Sequence, residues 1–179
     1  EKARIYQDNA SKNTHTDYNS KAVEICDLVI LKGDEPFVYE AKNIKVSILA
    51  KSLTIQTDKY IIPNQPNLAL IKFACIDTIY GSLHKIPLKF AAKFESQNIE
   101  KDSIFIDFVN KNKPYKTFKN RLPDTKGYFE YSTEIILPEM EAGVYLLTIS
   151  TKKNNLSAEA IYSYATINAT DLTLAYAGR

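Results

Sequence analysis

The side chains able to do chemistry in this sequence are few and scattered. Two histidines, His15 in a polar stretch and His84 beside a predicted strand break, are too little material for a histidine metal cage or a nucleophilic triad. They read as surface or capping groups. Glu130 and Glu134 fall on one face of a strand-like segment, where two carboxylates can pair for acid–base work, but successive outward charges on a strand are more simply its solvated face. Cys26 and Cys75 can form one disulfide in an oxidising compartment, and two buried free thiols is the plainer reading. The five glycines are scattered singly, so no loop is built to cradle phosphate. The most basic and aromatic stretch is Lys111, Lys113, Lys116, Lys119 and Arg121 with Tyr115 and Phe118 interleaved. Such a mixture suits an anionic glycan or a single-stranded nucleic acid. It also describes a solvated edge strand defended by lysines, which is the simpler account. Asn-x-Ser/Thr triplets at Asn9, Asn155 and Asn168 are glycosylation acceptors only in a secretory eukaryotic setting, and arise by chance in a chain this rich in asparagine. No catalytic, metal-binding or cofactor-binding residue is predicted, and the chain reads as a non-enzyme.

The totals agree with that. A chain of 179 residues supports one sizeable domain with an appendage, and buries enough apolar surface to fold without a staple. With 23 basic against 21 acidic residues the formal net charge is +2, a near balance that argues against nucleic acid as the main partner. Twelve tyrosines and eight phenylalanines with no tryptophan suit a module packed from aromatic and β-branched side chains. No apolar run approaches the roughly 20 residues of a membrane span, so direct membrane insertion is not expected. The sequence opens at Glu1 with neither initiator methionine nor signal segment, and reads as a piece of a longer protein or a processed product.

The elements that must position these groups are mostly strands. Glu1–Asp8 reads as the last turns of a helix and Gln7–Thr16 as a polar loop. Lys21–Lys32, after Asn19 or Ser20 as cap and before Gly33, carries Ala22, Val23, Ile25, Cys26, Val29 and Ile30 at helical spacing. Asp34–Ser52 has strand-like composition without a clean turn, and reads as short strands or an extended linker. From Ser52 the period changes to 2, which divides the chain into a helical or extended lead-in, residues 1–50, and a β-domain, residues 51–179. Strands are predicted at Ser52–Asp58, Asn67–Ile76, Ile79–Leu83 with Pro87–Phe94 as one strand either broken at His84–Pro87 or split across the two sheets, Lys116–Leu122, and Ala160–Ile167 with Leu172–Tyr176 after a break at Asn168–Asp171. Ile104, Phe105, Phe108 and Val109 share one face of a short helix capped at Asp102 or Ser103 and closed by Pro114.

Tyr128–Ser150 organises the rest. Phe129, Tyr131, Ile135 and Leu137 alternate with Glu130, Ser132 and Glu134; Pro138 ends that strand, and Gly143 opens the next, Val144–Ser150. Tyr145 stands where immunoglobulin-like sandwiches place a tyrosine whose hydroxyl bonds back to the preceding crossover. Pro138, Gly143 and Tyr145 are therefore the predicted structural residues. The expected fold is mainly β: an antiparallel fibronectin-III or Ig-like β-sandwich of about seven strands behind an N-terminal helical segment. Its expected core is Ile71, Phe73, Ile76, Phe129, Tyr131, Ile135, Leu137, Tyr145, Leu147 and Ile149.

Two segments together resemble a known family. Leu53–Tyr60, Pro63-Asn-Gln-Pro66, Leu68–Phe73 and Ile76–Tyr80 look like the start of a macroglobulin-like domain of the long bacterial α2-macroglobulins. Pro114–Phe118, Leu122–Thr125, Tyr128, Ser132–Ile135, Leu137-Pro138 and Gly143–Leu147 follow in the order and spacing that family shows. The likeness spans about residues 50–176, and the helix at Ser20–Lys32 is similar to the helical segment preceding the domain in those proteins. The resemblance implies a structural module of a protease-trapping, peptidase-inhibiting protein of the cell envelope, in the periplasm or as an outer-membrane lipoprotein. Stacked macroglobulin domains there form a rigid ring around a bait segment whose cleavage triggers closure. Implied partners are the neighbouring domains of the same polypeptide, and proteases are the targets of the full-length protein. The active parts of the family are absent. Cys26 is followed by Asp-Leu-Val and Cys75 by Ile-Asp-Thr, so neither belongs to a Cys-x-Glu-Gln thioester, and no stretch reads as long, flexible and protease-prone enough to be the bait. The rival class is a stand-alone Ig-like adhesin or glycan-binding module that works through loops and exposed tyrosines.

Overall fold

The computed structural model describes residues 1–12, 17–33, 36–88, 90, 101–124, 127–153 and 160–171. They form two compact units: Glu1–Ser52 with Phe73–Ile76 and Pro123–Tyr131, and Leu53–Lys72 with Asp77–Leu122 and Ser132–Arg179.

In the first unit three helices, α1 (Lys2–Lys12), α2 (Asp17–Lys32) and α3 (Phe37–Ile48), pack together. Their small and branched side chains interlock as two clusters, Ala3, Cys26 and Ala41 in one and Ala22, Val23 and Ile48 in the other. Ion pairs of Arg4 with Glu40 and of Lys45 with Asp27 cross the exposed surface. The sequence-based readings of Gln7–Thr16 as loop and of Asp34–Ser52 as strand or linker are corrected here through Lys12 and over Phe37–Ile48, while residues 13–16 and 34–35 lie outside the described residues. The reason is the same in both. Ala3 and Ala10 mark a helical stripe made of alanine, which a search for large apolar residues passes over. In α3, Val38, Ala41 and Ile48 are buried while Phe37, Tyr39 and Val46 are exposed, so a 3.6-residue period wins over β-branched composition once α1 and α2 supply a partner. Asn19 is buried on α2 and donates through Nδ2 to the Gly127 carbonyl at 3.2 Å.

The second unit is a β-sandwich. Its strands are β1 (Ser52–Thr57), β2 (Tyr60–Ile61), β3 (Asn67–Ala74), β4 (Thr78–Lys85), β5 (Lys116–Arg121), β6 (Tyr131–Leu137), β7 (Gly143–Ser150) and β8 (Tyr162–Ala169). One sheet runs β1-β3-β6 and the other β2-β8-β7-β4-β5. Within the larger sheet β5, β4, β7 and β8 pair antiparallel in turn, and the two-residue β2 lies parallel to β8. The inner faces are apolar and closed: Ile71, Ile79, Leu83, Leu137, Tyr145, Leu147, Ile149 and Ile167 are fully buried, and Leu53, Ile55, Ala69 and Ile135 join them. Of the expected core, Phe73 and Ile76, which belong to the first unit, are buried, whereas Phe129 and Tyr131 of that same unit are only half-buried.

Two strand readings are corrected. Pro87 does not continue β4: Ile86 N–H makes the last ladder bond, to Val144 O at 2.9 Å, proline has no N–H to follow it, and Phe90 N–H turns back to Pro87 O at 2.8 Å. Asn168 and Ala169 do not interrupt β8, because the parallel β2 supplies them with partners, Asn168 N–H to Lys59 O at 2.8 Å among them. Residues 91–94 and Leu172–Tyr176 lie outside the described residues. The predicted short helix is α4 (Lys101–Lys111). It packs on the outer face of the larger sheet through Phe105, with Phe108 and Val109 on the same cluster; the Ile104 side chain lies outside what the structure describes. Phe105 is fully buried against Tyr162 and Tyr164, ring centroids 5.4 and 4.3 Å away, burial worth roughly 1.5–3 kcal/mol.

A basic cleft as the candidate functional site

Past the end of α4, described residues on the outer face of the larger sheet line a cleft of about 830 Å³. Strand alternation assembles its floor. Tyr80, Ser82 and His84 of β4 point to this side, with Lys119 and Thr117 of β5 opposite Tyr80 and Ser82, and Ser150 and Thr148 of β7 opposite the same two residues across the other ladder. The end of α4 and the turn after it supply one wall, Asn110 to Pro114, and Lys152 and Lys153 after β7 supply another. Five lysines therefore border the cleft, Lys111, Lys113, Lys119, Lys152 and Lys153, and no carboxylate does among the described residues. Lys111 is paired to Asp107 one turn back, Nζ to Oδ2 2.6 Å, and the Lys119 ammonium sits 5.7 Å from the Tyr80 ring centroid in a cation–π contact. The C-terminal carbonyls of α4 would oppose an anion, but Asn112 covers one of them, its Nδ2 donating to Phe108 O at 2.7 Å.

Beneath the lysines lies a buried polar chain. Ser82 Oγ is 2.6 Å from Thr148 Oγ1 and 3.1 Å from His84 Nε2. His84 is 2% exposed, and its Nδ1 has no hydrogen-bond partner among the described residues. Burial pushes the imidazole pKa down, so the ring is neutral near pH 7, with one nitrogen a donor and the other an acceptor. Among the described residues, the positive charge of the cleft thus comes from lysine alone.

The remaining residues singled out from sequence fall elsewhere. His15 lies outside the described residues. Glu130 and Glu134 are exposed, one just before β6 and the other within it. Cys26 and Cys75 are free thiols, both with pKa raised by burial, and Cys75 Sγ lies 3.9 Å from Ile48 O in the first unit. Tyr115, Phe118 and Lys116 share a sequence stretch with the cleft lysines but face away from Lys119: Tyr115 packs on Tyr145 at 5.5 Å, Phe118 covers Gly81, and Lys116 Nζ donates to Glu139 O at 2.6 Å. Pro138 follows the last residue of β6 and is half-buried. Gly143 starts β7 at φ +155°, and a Cβ there would come within 2.8 Å of Lys85 Cε. Tyr145 is fully buried; its hydroxyl donates to Glu141 O at 3.0 Å across the β6–β7 turn. Burial, then Tyr115 and Glu141, push its pKa up to about 12. What sequence reasoning missed was His84 as a cleft residue and the contribution of β7, since Ser82, Thr148 and Ser150 converge only through strand pairing.

Comparison with known proteins adds little to this geometry. No protein-family model matches the chain, and no curated protein sequence matches it. Among solved structures it is similar to the CARDB domain of the PF1109 protein from Pyrococcus furiosus. The crystal structure of that domain, in complex with di-metal ions, has 8% identity and a TM-score of 0.35 over 66% of this chain and 91% of that one. The solution structure of the same domain gives 7% identity and a TM-score of 0.34 over 66% and 93%. Among the described residues of this chain no group of three or more His, Cys, Asp or Glu is placed to hold a metal ion, and no helix is long and apolar enough to cross a membrane.

Proposed function

We propose that this chain is a non-catalytic structural module of macroglobulin type, a β-sandwich that holds the neighbouring domains of a protease-trapping cell-envelope protein at fixed geometry. The observation that carries the reading is the closed interior of the sandwich, in which the Tyr145 hydroxyl ties the β6–β7 turn to the fully buried body of the larger sheet. A close-packed core of this kind is nearly incompressible and passes a displacement on as a rigid body. The sequence resemblance across residues 50–176 supports the same role, and brings with it the neighbouring domains as partners, proteases as targets and the envelope as location. The chain supplies neither bait nor thioester; its part in the trap is stiffness.

The test uses the full-length protein that contains this chain, mixed with a broad-specificity endoprotease. Cleavage at a site outside residues 1–179 is expected to raise native-gel mobility. The protease should then lose activity on protein substrates while keeping it on small peptides. Unchanged mobility after cleavage, with full protease activity on both substrates, would overturn the reading. The rival, a glycan-binding module, is favoured by one observation, the basic cleft.

A further inference from the structure

We propose that the cleft between the end of α4 and the β5-β4-β7 face binds an acidic oligosaccharide whose sugars carry carboxylates. The inference goes beyond the scaffold role and does not depend on it.

Charge sets the sign of the ligand. Five lysines on three separate elements surround the cleft with no carboxylate among its described lining. A cluster of one sign in a concave site raises the local concentration of the opposite charge. A solvated edge strand accounts for Lys119 alone, because Lys111 and Lys113 come from the helix end and Lys152 and Lys153 from the turn after β7.

The floor sets the chemistry. Sugar hydroxyls both donate and accept, and the floor offers two hydroxyls that do the same, the half-buried Ser82 and the exposed Thr117. Thr148 and His84, buried beneath, fix the Ser82 hydroxyl from 2.6 and 3.1 Å. A simple polyanion uses the lysines and nothing of this floor.

One feature argues against nucleic acid. Single-stranded chains bind by stacking bases on open aromatic faces. Here Tyr115 packs on Tyr145, the Phe118 ring lies over Gly81, and Lys119 sits over the Tyr80 ring. A volume of about 830 Å³ is also far larger than one inorganic phosphate fills.

The test is calorimetric titration of the whole chain with a trigalacturonate probe. Inorganic phosphate, an oligothymidylate and a neutral maltotriose are titrated as separate arms. Saturable trigalacturonate binding that weakens with salt is expected, with at least tenfold weaker binding to the other three. Lys113→Glu with Lys153→Glu should lower affinity at least tenfold, and Thr117→Val, which removes one exposed hydroxyl and no charge, at least threefold. Lys42→Glu on α3, outside the cleft, should change nothing. No saturable binding, binding of oligothymidylate or phosphate as tight as that of the sugar acid, equal loss from Lys42→Glu, or no effect of Thr117→Val would each overturn the proposal. Failure of these arms leaves the protease-trap test untouched.

Discussion

Gly81 and Phe118 stand directly opposite each other on β4 and β5, and the Phe118 ring occupies the space in which any other residue at position 81 would carry its Cβ. Aromatic cover of a strand glycine restores the packing that glycine lacks and pins the register of an edge strand. The pair therefore behaves as one unit. Gly81→Ala is expected to cost about 1–3 kcal/mol, because the ring must leave its place. Phe118→Ala should cost a similar amount by uncovering β4, and the double substitution should cost less than the sum. Urea unfolding of the four proteins checks this, and strictly additive costs would show the two positions to be uncoupled.

The tie at Tyr145 has a pH signature. Its folded pKa, pushed up to about 12, lies above the ordinary tyrosine value of roughly 10 that applies in the unfolded chain. Between those values the unfolded state has already lost the phenolic proton, so stability is full below pH 10 and falls as pH rises toward 12. Tyr145→Phe keeps the ring and removes the bond to Glu141 O, at a cost of about 1 kcal/mol near neutral pH. The variant should also lose stability less steeply than the parent from pH 10 to 12. Parallel slopes would mean that Tyr145 does not titrate in that window.

How much of this was legible in the sequence follows from how local each signal is. β6, the β6–β7 turn and β7 were readable because period-2 alternation, Pro138, Gly143 and Tyr145 all lie within one short stretch. The stripe of α1 was missed because alanine carries it, and α3 because its β-branched content signals strand until two other helices give it a face to bury. The cleft was half-legible. Its lysines appeared as a basic stretch, but Tyr115 and Phe118 were grouped with them by proximity in sequence, whereas alternation in β5 sends Phe118 to the opposite side from Lys119. Ser82, Thr148 and His84 meet through the ladder between β4 and β7, a pairing that no local pattern encodes.

The helical unit offers a separate check. Ile48 is buried at the end of α3 against Ala22 and Val23 of α2. Ile48→Ala leaves a cavity there and should cost about 2–4 kcal/mol. Ile44, partly buried one turn earlier, lies in both helical clusters, so Ile44→Ala should cost less but act on the same cooperative loss of helical ellipticity. Val46→Ala, at an exposed position of the same helix, should stay within about 0.5 kcal/mol. A strand or linker at residues 37–48 would make the three substitutions alike, and thermal unfolding followed at 222 nm separates the cases.

His84 gives the opposite pH response to Tyr145. Its folded pKa lies below the ordinary histidine value of about 6.5, because burial disfavours the imidazolium. On acidification the unfolded chain takes up this proton first, so the contribution is intact above pH 6.5 and is lost as pH falls below it toward the folded value. Among the described residues the ring meets the Ser82 hydroxyl and Phe108, the two ring centroids 6.0 Å apart, and neither supplies a negative charge to hold an imidazolium. His84→Gln keeps a hydrogen-bonding side chain that does not titrate, and should flatten the stability profile of the chain below pH 6.5 while the profile above that pH keeps its shape. Urea midpoints measured at half-unit steps from pH 4.5 to 8 check this. A parent and a variant that lose stability in parallel below pH 6.5 would show that the imidazole is not held neutral, and that the cleft gains a further positive charge in acid.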